Sequence, residues 1–140
     1  MNRITLMGRL TKDIETKQLM SGMLVGNFTL AVEKDLTKEK KNELEREGKP
    51  TADFIRCKAF GKSADIISKW TAKGSRLLIE GTLNTSTYDK DGEKRYSTDV
   101  LVNRFFIIDF KKRESEPADY YDSFDVFDSS FADDSANVHF

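Results

Sequence analysis

The chain has 140 residues, 38% of them hydrophobic, which suits one small soluble domain and is too apolar-poor for a membrane protein. Its net charge of −1 conceals a division: all 23 Lys and Arg lie at or before Arg113 with 16 acids, whereas 114–140 carries eight acids and no base. A body near +7 suits a polyanion, and a tail near −8 suits something basic. The lone Cys57 excludes an intramolecular disulfide, and one His with one Cys excludes an ordinary zinc site. No apolar run is long enough to span a bilayer and the N-terminus lacks a signal-peptide block, so a cytoplasmic location is expected.

Asn2 to Leu10 alternates with period two, as a half-buried strand does. Ser21-Gly22 marks a turn before a second strand, Met23 to Val32, where Gly26 suggests a bulge or sharp bend. Glu33 to Thr51 is dense in charge of both signs and reads as a long solvated loop with some helical character. Asp53 to Phe60 is the third strand. Lys62 to Lys73 follows as a short helix capped by Gly74, with Ile66, Ile67 and Trp70 on one face. That shared face predicts a core role for Trp70. Ser75 to Tyr88 is a long fourth strand bent at Gly81, Asp89-Lys90-Asp91-Gly92 is a turn, and Tyr96 to Phe110 holds the fifth strand. Five strands joined by hairpins, with one short helix between the third and fourth, define an all-β OB-fold barrel over residues 1–112. Residues 113–140 change abruptly to acids, Ser and aromatics, and are expected to form a disordered acidic tail.

The third strand carries the most specific local signal. Phe54, Arg56, Lys58 and Phe60 fall on one face, while Ile55, Cys57 and Ala59 fall on the other, which must be the core. Two rings can stack unpaired bases, and the two cations between them sit where phosphates would pass. The alternative is that both rings cover a sheet surface or a subunit contact. Tyr88 shares a face with Asn84 and Ser86 and offers a further platform, or else caps the barrel.

The stretches Asn2 to Leu10, Asn27 to Val32, Ala52 to Lys62, Lys73 to Ser75 with Ile79-Glu80-Gly81, and Tyr96 to Val100 resemble the bacterial-type single-stranded DNA-binding proteins. They run through the whole body in the family's order. The resemblance implies an OB-fold, usually a homotetramer, that coats single-stranded DNA with little sequence preference during replication, recombination and repair, without a cofactor and without enzymatic activity. Its stacking aromatics carry over to Phe54, Phe60 and Tyr88. Arg56, Lys58, Arg3, Lys62 and Arg95 are the expected cations. Leu36 stands where many relatives place an aromatic, and Asn84 and Ser86 stand where relatives often place bases. Because Trp70 lies off this face, DNA is expected to quench it little.

Relatives end in acids followed by Ile-Pro-Phe, a tip that docks on replication and repair partners. Here Asp133, Asp134, Val138 and Phe140 keep the acids, an aliphatic residue and the terminal ring, while Asn137 and His139 depart from the pattern. An aromatic anchor beside acids suits an Arg- or Lys-rimmed pocket. Tyr120, Phe124, Phe127 and Phe131 recur at spacings of four, three and four, and these rings among acids could imitate bases and phosphates and compete weakly for the body. Two rivals remain open from sequence. One is a nuclease, which needs a cluster of acids holding a metal, although Asp53 and Asp65 form no compact group. The other is an OB-fold adaptor that binds only proteins.

Overall fold

The computed structural model describes residues 1–111; the tail and its tip residues Asp133, Asp134, Val138 and Phe140 lie outside the described residues. Six strands and two helices follow in the order β1 (Ile4–Leu10), β2 (Glu15–Gln18), β3 (Leu24–Glu33), α1 (Lys38–Arg46), β4 (Ala52–Phe60), α2 (Lys62–Trp70), β5 (Arg76–Lys90) and β6 (Glu93–Ile107). The sheet order is β1-β5-β6-β4-β3-β2, and a β1–β3 pairing at Arg9↔Ala31 and Leu10↔Leu30 closes it on itself. All pairings are antiparallel except β4 with β6. This closed five-strand ring, with β2 added beside β3, is an OB-fold.

The inward residues predicted from alternation meet in one core. Phe28 and Leu30 of β3, Cys57 and Ala59 of β4, Leu77 and Ile79 of β5 and Val100 of β6 are buried there. Each fully buried Leu or Ile contributes roughly 1.5–3 kcal/mol of hydrophobic stabilisation. Helix α2 lays Ala64 and Ile67 over this core, and Ile66 packs against it.

Four local expectations need correction. Among the described residues there are two short helices rather than one. Helix α1 forms inside the expected loop without any buried residue: the Thr37 hydroxyl accepts from the Lys40 amide at 3.3 Å, and Lys40 pairs with Glu43 one turn on. The strand count is six rather than five, since the wholly exposed Glu15–Gln18 pairs along β3 from Glu15↔Asn27 to Gln18↔Leu24. Gly26 marks no bulge, because the ladder runs regularly through it; it is a point of close approach, where a Cβ would lie 2.5 Å from Ile14 Cδ1. Trp70 is half-buried rather than in the core: α2 ends there, and the indole meets the Phe110 ring edge-on at 6.2 Å.

The bend at Gly81 is present. The β5–β6 register shifts between Glu80 and Gly81, and a Cβ at Gly81 would fall 2.1 Å from the Leu101 carbonyl oxygen. Beyond it the two strands continue as an arm. The expected turn tightens to Asp91-Gly92, both at positive φ, as a two-residue hairpin requires.

Candidate nucleic-acid interface

Strand β4 divides its side chains as the period-two pattern dictates. Cys57 and Ala59 enter the core, Ile55 packs against it, and Phe54, Arg56, Lys58 and Phe60 stand on the outer face. Phe54 is 60% exposed and Phe60 39%. What leaves them uncovered is the neighbouring strand. The β3 partners on this face are Ala31 opposite Phe54, Thr29 opposite Arg56, Asn27 opposite Lys58 and Val25 opposite Phe60, all too small to cover a ring. The two rings are six residues apart, roughly 20 Å along an extended strand.

Strand β6 flanks β4 on its other side. The parallel register Cys57↔Val100 brings Asp99 beside Arg56, with Arg56 Nε 3.3 Å from Asp99 Oδ1. Asn27, Thr29, Arg56, Lys58, Ser97 and Asp99, with the Lys12–Glu15 pair 3.0 Å apart, line an open pocket of about 350 Å³. Lys58 has no ion pair among the described residues, so it is the uncompensated cation of this surface. Cys57 lies beneath. Burial first and the Asp99 carboxylate second push its thiol up to about 12, and it donates to the Ile55 carbonyl at 3.6 Å, so it is no nucleophile at neutral pH.

The same face continues from β6 onto β5. Asp99 pairs with Asn84, the Ser97 and Ser86 hydroxyls meet at 2.9 Å, and Arg95 sits opposite Tyr88. Tyr88 is 50% exposed and Arg95 is paired to Glu93 at 3.2 Å. Lys62 opens α2 two residues after Phe60, at the other end of the file. Arg3 is not brought to this surface. It precedes β1 and lines a different pocket with Glu80, Asn103 and Arg104.

Several residues here escaped the sequence reading. Asp99 and Ser97 reach the pocket only through the parallel β4–β6 pairing, which no local pattern reveals. Leu19, Met20 and Met23 stand exposed at the β2–β3 hairpin, joined by a Leu19 amide to Met23 carbonyl bond, and Leu24 accepts from the Gly61 amide beside Phe60. Apolar residues in a turn were the available signal. Tyr96, 75% exposed on the arm's opposite face, could have been found from its alternation with Thr98. Among the described residues no group of three His, Cys, Asp or Glu side chains is placed to hold a metal, and no helix is long and apolar enough to cross a membrane.

A closed OB barrel with an uncovered aromatic and basic file defines a class of binding barrel. The comparisons make that class specific. The single-strand binding protein family matches residues 1–108, so the chain belongs to that family. Similar proteins include a single-stranded DNA-binding protein of Clostridium perfringens, 38% identical over 98% of this chain and 90% of the relative. A single-stranded DNA-binding protein 1 of Streptococcus pyogenes is 34% identical over 87% of this chain and 89% of its own length, and one from Clostridium tetani is 35% identical over 89% and 82%.

Proposed function

We propose that this protein is a non-enzymatic coat for single-stranded DNA, binding with little sequence preference during replication, recombination and repair. The observation that carries this reading is the file Phe54, Arg56, Lys58 and Phe60 on an uncovered barrel face. Rings accept any base because every base has a π-face, and cations follow the phosphates. Tyr88 extends the stacking surface along the arm, and Arg95 and Lys62 extend the charge. Arg3 contributes at a separate place. Relatives whose names state single-stranded DNA binding, alike over most of the chain, support the reading.

The body acts as a homotetramer in the cytoplasm, and residues 113–140 supply the acidic tail. Its tip, Asp133, Asp134, Val138 and Phe140, docks on basic, apolar pockets of replication and repair proteins. Its acids and rings also compete weakly with DNA for the barrel.

The double variant Phe54→Ala/Phe60→Ala tests the central reading by anisotropy titration of labelled oligo-dT. Stacking is worth about 1–3 kcal/mol per base, a range measured on single-strand-binding barrels as a class, so the pair should lose at least about thirtyfold in affinity. Both rings are exposed, so the melting temperature should hold. Wild-type affinity in the double variant would refute the proposal.

A further inference from the structure

An acid lies in the middle of a surface proposed to receive a polyanion, and that is an electrostatic liability unless something neutralises it. Asp99 is only 12% exposed, and among the described residues its one ion pair is with Arg56, at 3.3 Å from Nε to Oδ1. Arg56 itself is 62% exposed. Resting on the function proposed above, we propose that Asp99 is a positioning residue that holds Arg56 ready for the strand.

The placement follows from register. β6 runs parallel to β4 with Val100 beside Cys57 in the core, so one residue earlier on each strand sets Asp99 beside Arg56 on the outer face. A guanidinium has five N–H donors in a fixed fork. The closest approach to Asp99 is at the Nε end, as an ion pair, and the four N–H groups of the two Nη atoms have no hydrogen-bond partner among the described residues. Those four suit a phosphate or a base edge bidentately. A long side chain normally loses rotamer freedom when it grips a ligand. Drawn to the Asp99 carboxylate by the ion pair, Arg56 has lost part of that freedom already.

Charge gives the inference its sign. Arg56 and Asp99 together are neutral, so Arg56 offers fixed donors rather than net charge, which Lys58 supplies. Asp99 therefore acts oppositely in two contexts. With Arg56 present it is an anchor that favours binding. Without Arg56 it is an unpaired carboxylate facing phosphates, and it opposes binding.

The test is a double-mutant cycle on the full chain: wild type, Asp99→Asn, Arg56→Ala and the double variant, titrated with labelled oligo-dT, with thermal melts of each. Asp99→Asn should weaken binding by about two- to tenfold in the wild-type background, and tighten it in the Arg56→Ala background. Arg56→Lys keeps the charge and loses the fork, so it should fall close to Arg56→Ala. Tightening by Asp99→Asn in the wild type would overturn the inference, reducing Asp99 to a repelling charge, and no effect in either background would overturn it too. If Asp99→Asn melts early, Arg56→Lys, altered at an exposed side chain, decides alone, and wild-type affinity there refutes the anchor. Failure of the wild type to bind oligo-dT refutes the proposed function itself; tight wild-type binding with the wrong sign at Asp99 refutes only this inference.

Discussion

The outer face of β4 and the β5–β6 arm display similar residue types on opposite foundations. Beneath Phe54, Arg56, Lys58 and Phe60 lie the buried Cys57 and Ala59, and β4 is locked to β3 by nine register pairs from Val25↔Phe60 to Glu33↔Ala52. The arm has no floor. Every residue from Leu83 to Tyr96 is exposed, so both faces meet solvent, and the strands hold each other through their ladder and the Ser86–Ser97 contact. Isolated two-stranded hairpins are marginal in water. Among the described residues only the arm's root is tied elsewhere: the Asn2 side chain donates to the Leu83 carbonyl at 2.8 Å and accepts from its amide at 2.9 Å. Alternation thus makes a fixed surface where its inward half reaches a core, and a pliable one where it does not.

The sharpest way to break this contrast is to remove the floor. Leu30 is fully buried and lies opposite Ile55. Leu30→Ala should destabilise the barrel by about 2–5 kcal/mol in urea unfolding; a loss below 1 kcal/mol would mean that β4 is not held as described.

The floor also carries a pH signature. The Cys57 thiol moves from 9.0 to about 12 in the native state. Above pH 9 the unfolded chain sheds this proton while the folded chain keeps it, so the contribution of Cys57 to stability falls between pH 9 and 12. The slope is about 1.4 kcal/mol per pH unit. The stability difference between wild type and Cys57→Ala should drift against the wild type from pH 8 to 10, and a constant difference would contradict the buried thiol.

On the arm the effects should be smaller. Tyr88→Ala should weaken oligo-dT binding by about 1 kcal/mol, the low end for one stacked base, because ordering the arm offsets part of the gain. A loss matching that of Phe54→Ala would show the arm to be as well fixed as the platform. Deleting residues 114–140 should give the smallest change, tightening DNA binding by about twofold at low salt and not at high salt, since the competition is electrostatic. Equal affinity at low salt would remove the tail as a competitor.

Sequence reasoning succeeded where the pattern was local and anchored. The alternation through 53–60 revealed the file because Ile55, Cys57 and Ala59 could only face inward. The bend at Gly81 was visible as a glycine inside a long apolar strand. Helix α1 showed only as some helical character in a charged loop, since Leu36 and Leu44 make no apolar stripe and the helix depends on its Thr37 cap and on ion pairs such as Lys41–Glu33. Strand β2 was hidden because Glu15 to Gln18 are all exposed and acquire strand geometry only from β3. Trp70 shared a helical face with Ile67 in sequence, but it sits at the last residue of α2, past the edge of the core. Asp99 belonged to a non-local register that alternation does not encode.

The arm has one more consequence. From Leu83 to Lys90 it extends seven residue steps, about 23 Å at strand rise. On a fully occupied strand, such a projection would add to the interval between neighbouring proteins. Shortening the hairpin symmetrically on both sides of Asp91-Gly92 would then pack more copies onto a given length of polymer, at the loss of Tyr88 and Arg95 and with the file from Phe54 to Phe60 intact.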